Sequence, residues 1–481
     1  MQDKSSVIFG NPIDKGTIRK GRKSKQKYLR KFGDDSKKVY HLAAQPVPTL
    51  AAMGVQNLVL SNQPMAFDPK GIIIGNIRMG FGHYRISIAM ASCAHALGYT
   101  PYWLDLASFD ATGSKMIRYQ NDLYSKASKI SQVSYLFNHL FWEPLNSEGF
   151  RKIDYNSMDQ KNSELLVPLF RDIPKDMPYI ATHVWPSQAA VHAEMTHVVN
   201  AIPDNWPMAL HLSEGAIHTV QTPFAYLGYK MLNGMAKTPL KGMPEKDLYD
   251  VGCYVDDELV RNIPMDNQRR RERLTKGEPV RMLMTVGGAG AAGKLFLEMI
   301  KHLLPAVKDK KVALFINFGD HLDMWNYLLK NLPELKEEMQ TFFDDYASLQ
   351  DFATKAQTSY VEGIYAIYHK DIFPAVYSTN LLMRACDLLI TKPSELAYYP
   401  IPKVYMRHIG GHEVFGAIHG QEMGDSTFEC QDEVSMSLML DRLLDDKEIL
   451  IHLTYQIEKL AHQGYYDGAY EVVKLAVNGR K

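Results

Sequence analysis

The chain has little cysteine, no long apolar run and no excess of charge of either sign. Cys93, Cys253, Cys386 and Cys430 are far apart and form no CxxC pair, which argues against a zinc knuckle or a disulfide framework and fits a reducing compartment. No stretch approaches the roughly 18 apolar residues that would cross a bilayer, and no apolar segment follows the basic N-terminal run as it would in a secretory signal. Lys and Arg total 54 against 54 Asp and Glu, so no global field draws the chain to nucleic acid or anionic lipid. These absences suggest a cytoplasmic protein with no nucleic-acid partner. One local exception is "KGTIRKGRKSKQKYLRK", residues 15–31, with nine Lys or Arg and no acid. It reads as a solvated flexible tail, with peripheral contact at the inner face of a membrane as the sharper alternative.

What is present is 481 residues, 46% of them hydrophobic, which suggests two cores rather than one. Residues 1–68, interrupted by "QPVPT", read as a basic N-terminal extension. From residue 71 short apolar runs alternate with longer helical stretches, the pattern of a parallel sheet with helices on both faces. "GIIIGNI" predicts the first strand, residues 82–97 a polar-faced helix, and "TPYWLDLA" the next strand. Strands follow in "PYIATHVW" and "HVVNAIPD". Between them, Leu123, Ile130, Val133, Phe137, Leu140 and Phe141 recur at helical spacing and read as a core helix or an aromatic flap. The run "NQRRRERLTKGEP" reads as a linker or exposed helix, and the alternation restarts at residue 280. The expected fold class is therefore α/β, with two Rossmann-like doubly wound domains. Their expected bounds are 69–262 and 263–450, with residues 451–481 as a C-terminal helix that crosses back to the first domain.

Each half opens with a glycine-rich strand-to-helix turn. In the first, "GFGH" places Gly80, Gly82 and His83 where backbone approaches a ligand and where helix N–H groups favour negative charge. A helix N-terminus disfavours imidazolium, so His83 can accept a proton from a hydroxyl nucleophile. Arg85 occupies the third glycine position of a dinucleotide turn, and Asp105 keeps that reading alive. In the second, "TVGGAGAAGK" satisfies GxxxxGK with Gly288, Gly293 and Lys294, but Leu295 replaces the Ser or Thr that would hold magnesium. Asp204 in "AIPDNWP" is a turn former or an acceptor base, His183 in "ATHVWP" a cleft or core residue, and His95 a core or boundary residue. The pairs Asp256-Asp257 and Asp344-Asp345 read as solvated.

Taken in order, "GFGHYRISIAMA", "VGGAGAAG" and "ACDLLITKPSELAYYPIPKV" resemble the GT-B glycosyltransferases, in particular the branch of the lipid II-forming peptidoglycan transferase and the monogalactosyldiacylglycerol synthases. Asp387, Thr391, Lys392, Pro393, Glu395 and Pro402 match that branch's third motif, and the resemblance spans roughly residues 70–430. It implies two domains facing a central cleft and an inverting, metal-independent transfer from a nucleotide-sugar, UDP-linked, to an acceptor glycan or lipid. No cofactor is implied beyond that donor, which is a co-substrate. His83 and Asp204 would be the catalytic residues. Gly80, Gly82 and His183 would bind acceptor. Gly287, Gly288, Gly290, Thr391, Lys392, Ser394, Glu395, Gln421 and Glu422 would bind donor, with Glu395 accepting from both ribose hydroxyls and Lys392 facing phosphate. "HGQEMGD", residues 419–425, and "GGHE", residues 410–413, compete for the last donor motif. "KPSE" is shorter than the usual glycine-rich turn, which makes a non-catalytic binding protein the first alternative; a sugar-nucleotide epimerase, which shares the GT-B fold and would bind the same donor without an acceptor, is the second.

Overall fold

The structure is a computed structural model that describes residues 3–133, 149–286, 293–408 and 410–479. It divides into two units, one of residues up to Asp256 with Asp467–Lys481, the other of Asp257–Tyr466; the short stretch Gly410–His412 groups with the first.

The first unit begins with a short antiparallel hairpin, β1 (Val7–Ile8) and β2 (Asn11–Pro12). Its sheet is built from β3 (His41–Pro46), β4 (Gln56–Ser61), β5 (Gly71–Asn76), β6 (Thr100–Asp105), β7 (Tyr179–Ala181), β8 (Val198–Ala201), β9 (Ile217–Val220) and β10 (Leu248–Asp250). The order is β10-β9-β8-β7-β5-β6-β4-β3, and only the β3–β4 pair is antiparallel. Strand β5 reads as an unbroken apolar run because a central parallel strand is covered on both faces, and all six of its residues are buried. Gly75 is required there: a Cβ would sit 1.9 Å from the Tyr179 hydroxyl.

Three sequence expectations change in this unit. Residues 15–31 are not a flexible tail but most of the helix Lys15–Phe32, capped by Asp14, which accepts from Gly16 and Thr17 N–H. It packs on the helix Ile153–Ser163 with Gly21 against Met158 and Lys161, while Lys25 pairs with Glu164 at 2.6 Å. Residues 41–61, placed in the extension, supply two strands of the sheet. The helix Gly82–Ala96 is buried from Tyr84 to Ala94 rather than polar-faced, because the helix Gly468–Asn478 packs on it; His95 in its last turn is exposed. The chain returns to this unit at Asp467, where Gly468 N–H donates to the Cys253 carbonyl at 3.0 Å.

The second unit holds β11 (Val280–Thr285), β12 (Val312–Asn317), β13 (Met339–Phe343), β14 (Gly363–Tyr368), β15 (Leu388–Thr391), β16 (Lys403–Met406) and β17 (Ser426–Cys430). All are parallel, in the order β13-β14-β12-β11-β15-β16-β17. The charged run before β11 belongs to the helix Asp257–Lys276, whose Arg270 and Arg273 turn inward. Arg270 donates to the Met383 and Cys386 carbonyls, and Arg273 donates twice to Asp387 Oδ1 at 2.6 and 3.0 Å. Breaking a buried pair of this kind costs about 3–5 kcal/mol, so Asp387 is a structural residue here. Asp256 is buried rather than solvated, Asp345 caps the helix Tyr346–Ala356, and Asp344 accepts from Lys370 N–H. Among the described residues no helix is long and apolar enough to cross a membrane.

Both units are therefore α/β and doubly wound, as expected. Each has one point at which the winding reverses. From β5 the chain moves to β6 on one side and enters β7 on the other; from β11 it moves to β12 and later enters β15. Loops leaving the carboxyl ends of such a strand pair diverge and open a crevice, where ligands of open α/β sheets bind.

Candidate functional site

In the first unit the reversal lies between β5 and β7, and the loops that leave them carry Gly80, Gly82 and His83 on one side and Thr182 and His183 on the other. Gly80 has a left-handed φ of +78°, which bends the chain from the strand into the helix. Phe81 stands at the N-cap and has no side-chain oxygen to cap with. His83, half-buried in the first turn, joins the two loops through Nδ1, 2.6 Å from the Thr182 carbonyl. A carbonyl only accepts, so Nδ1 carries the proton and the lone pair of the neutral ring is on Nε2. Ser87 Oγ, one helical turn on, lies 2.8 Å from Thr182 Oγ1 and fixes the same junction.

Behind His83 lies His183, the two ring centroids 4.8 Å apart and nearly perpendicular. His183 caps the helix Val184–His192, its Nδ1 accepting from Trp185 N–H at 3.1 Å. Burial, with smaller contributions from His83 and His211, holds its pKa well below the usual histidine range, and Asp204 opposes them weakly. His183 is thus a buried neutral ring packed against that of His83. Asp204, just past the end of β8, is partly exposed and binds His211 Nε2 at 2.9 Å. Sequence reading singled out His83, His183 and Asp204, and the fold brings them together. It missed His211, for which nothing but the seven-residue interval to Asp204 offers a signal.

Asp105 lies elsewhere in its chemistry. Tyr84 donates to one carboxylate oxygen at 2.7 Å and Ala107 N–H to the other at 2.8 Å, and burial raises its pKa. A carboxylate so enclosed has no edge for a ribose diol, which removes the support it lent to a dinucleotide turn.

In the second unit the loops at the reversal carry Thr285 and Thr391. Thr285 donates to Thr391 at 3.2 Å across the two strands. Both are buried, so Thr391 pins the crevice floor. Gly287, Gly288 and Gly290 lie outside the described residues. Beyond Thr391, the Ser394 N–H donates to the Lys392 carbonyl at 2.9 Å and folds "KPSE" into a tight turn that leads into a short 3-10 helix at Glu395. Glu395 and Ser394 are half-buried, and no other described residue hydrogen-bonds or pairs with the Glu395 carboxylate. Lys392 Nζ is 2.5 Å from Glu413 Oε1, so its charge is shared with a carboxylate that sequence reading weighed only as a competing motif.

Glu413 of "GGHE" stands beside the "KPSE" turn. Gln421 and Glu422 are in the last turn of the helix Val414–Met423, which runs from the carboxyl edge of the sheet toward its amino edge. Gly416 contacts the turn, where a Cβ would sit 2.7 Å from the Pro393 carbonyl. Residues 421 and 422 follow more than a helical turn later, at roughly 1.5 Å per residue away from it. Among the described residues no group of three or more His, Cys, Asp or Glu is arranged to hold a metal ion.

Residues 7–231 match a family described as Domain of unknown function (DUF6937), and residues 243–477 one described as Domain of unknown function (DUF6938). No curated protein matches the sequence. Similar solved structures include a putative UDP-N-acetylglucosamine 2-epimerase from Listeria monocytogenes, 13% identical, covering 86% of this chain and 96% of that one at a TM-score of 0.46. Another is UDP-GlcNAc 2-epimerase from Neisseria meningitidis bound to UDP-GlcNAc, 12% identical over 85% of this chain and 99% of that one, TM-score 0.43. A third is an alpha,alpha-trehalose 6-phosphate synthase from Burkholderia multivorans, 10% identical over 85% and 98%, TM-score 0.43.

Proposed function

We propose that the protein is a GT-B glycosyltransferase that moves a sugar from a UDP-sugar to an acceptor hydroxyl. The observation that carries the reading is a coincidence of position. In the first unit residues singled out by motif lie on the two loops where a doubly wound sheet reverses, and in the second unit Lys392, Ser394 and Glu395 follow β15 at the matching reversal, the place at which such sheets bind ligands. In the second unit Glu395 offers a partly exposed carboxylate whose two oxygens match a vicinal ribose diol. Lys392 would take the charge of the departing diphosphate, and the reading invokes no divalent cation.

In the first unit His83 Nε2 would remove the acceptor's hydroxyl proton. The oxygen would attack the anomeric carbon as its bond to the phosphate oxygen breaks, so the configuration inverts and UDP leaves with the electron pair. The Thr182 carbonyl and the His183 ring would hold the base in orientation, and Asp204 with His211 would bind the acceptor's neighbouring hydroxyls.

A second reading is a sugar-nucleotide epimerase, favoured by the density of acid–base groups, His83, His183, His211 and Asp204, in one unit. Product analysis separates the two. Incubated with UDP-GlcNAc or UDP-glucose and a membrane lipid extract, a transferase releases UDP only with acceptor and builds a longer glycolipid. An epimerase converts the sugar nucleotide with no acceptor. If neither donor is consumed above background under either condition, both enzymatic readings fail.

A further inference from the structure

The helix Lys15–Phe32 carries nine Lys or Arg and no acid. As a flexible tail this run would offer no defined surface, whereas a helix holds its charges in place. Thr17, Gly21 and Tyr28 are buried and mark its inward side. At about 100° per residue, Lys15, Arg19, Arg22, Lys23, Gln26 and Arg30 fall on the opposite side, and each is exposed. From Lys15 to Arg30 this row runs ~22 Å, with no apolar residue and no acid in it. Like charges four residues apart, such as Lys15 with Arg19 and Arg19 with Lys23, destabilise a helix, so the row costs the fold rather than supporting it.

Arg22 pairs with Asp3 at 3.6 Å, and among the described residues no acid forms an ion pair with Lys15, Arg19, Lys23 or Arg30. Asp14 and Asp34 lie beyond the two ends of the helix, where they accept the N–H groups of Gly16, Thr17 and Ser36. Asp154 sits beside Asp14 and Lys20, off the row. One flank of the row holds Lys25, engaged by Glu164 at 2.6 Å. On the other flank exposed Lys27 and Lys31 lead to Tyr119 of the helix Thr112–Val133. Lys31 Nζ lies 3.3 Å from the centroid of that ring, and Phe32 meets it edge to face at 6.0 Å. Both rings are half-buried. Past Gly33 the cations continue with exposed Lys37 and Lys38, whose loop Arg171 holds by donating to the Ser36 and Lys38 carbonyls.

We propose that the helix Lys15–Phe32 binds a single strand of nucleic acid, with its phosphates along the row and a base against Tyr119. A linear row of cations matches a phosphate backbone in sign and in shape, and an aromatic ring at its flank is a platform on which unpaired bases stack. A duplex would keep its bases from that ring. A bilayer fits less well, because the row has no apolar residue to insert. The neutral total of the chain does not oppose the attraction, because exposed charges beyond a Debye length of about 8–10 Å are screened. The inference is independent of the transferase reading.

The test is fluorescence anisotropy of labelled oligouridylate and oligothymidylate, each of about 20 nucleotides, with the full chain. At least one should bind with micromolar or tighter affinity at about 50 mM salt and weaken about 100-fold by about 200 mM, as expected for roughly five neutralised phosphates. The tighter of the two identifies the sugar of the strand. Arg19→Glu with Lys23→Glu should weaken binding at least tenfold at the lower salt and reduce the salt slope by about 1.4. The double relieves more like-charge pairs than it makes, so its melting temperature should not fall, and lost binding is then not lost fold. Tyr119→Leu should cost about fivefold or more. No binding of either strand, or wild-type binding by either variant, overturns the proposal. So does binding of polyglutamate or of phosphatidylglycerol vesicles as tight as that of the strands, because the row would then be a general anion surface.

Discussion

His83 is tied to the facing loop by its hydrogen bond to the Thr182 carbonyl. Its Nδ1–H is committed to a backbone carbonyl, so chemistry can be asked only of Nε2. Replacing it with Asn keeps a donor near Thr182 but removes the proton acceptor. His83→Asn should lower the transfer rate by about 10²–10⁴-fold with UDP affinity unchanged, measured by UDP release and calorimetry. A variant with full activity would remove the base from the mechanism. Two of the buried groups contribute to the pH response of stability in opposite senses. Burial pushes Asp159 from 3.8 up to about 7, with the Trp185 indole N–H pulling weakly the other way. The native state therefore holds a proton that the unfolded chain releases, and stability falls as pH rises from about 4 through 7. His183 is depressed below 6.5, so its contribution is intact above that value and is lost as pH falls below it. Asp159→Asn should raise the melting temperature more at pH 8 than at pH 4.5, by at most about 4 kcal/mol in stability. Equal gains at the two pH values would contradict that assignment.

Elements with a strong period were legible in the sequence. Strand β5, the helix Gly82–Ala96, β6 and β11 fall where the apolar runs and helical spacing put them, because burial dominates their composition. Elements held by other means were not. The helix Lys15–Phe32 buries Thr17, Gly21 and Tyr28, so its inward face offers one large apolar residue and reads as a charged tail. Strands β3 and β4 are only partly buried, and their alternation is too shallow to see. In the Asp257–Lys276 helix, arginines take core positions by bonding carbonyls and Asp387, a pairing no periodicity reveals. The candidate site was legible as single motifs, whereas its geometry was not. His83 and Thr182 are 99 residues apart, and Lys392 and Glu413 meet only because the helix Val414–Met423 packs on the "KPSE" turn. That packing is itself testable. Gly416→Ala puts a methyl group 2.7 Å from the Pro393 carbonyl, so helix and turn must part. UDP affinity should fall several-fold, with a loss of about 1–3 kcal/mol in stability. Unchanged nucleotide binding in a destabilised variant would detach the turn from the donor site.

For the molecule as a whole, two doubly wound units in one chain allow a division of labour, with acid–base groups gathered in the first and a diol-sized carboxylate presented in the second. The chain passes between the units at Asp256–Asp257 and returns at Tyr466–Asp467. The account stands or falls on the second unit holding a nucleotide. Calorimetric titration of the full chain with UDP, UDP-GlcNAc, UDP-glucose, GDP and NAD, repeated on Glu395→Ala, tests it. The account predicts saturable uridine nucleotide binding that Glu395→Ala weakens tenfold or more, the loss of about 1.5–3 kcal/mol expected for hydrogen bonds to a charged group. Absence of binding by any uridine nucleotide, or binding that Glu395→Ala leaves unchanged, would contradict it.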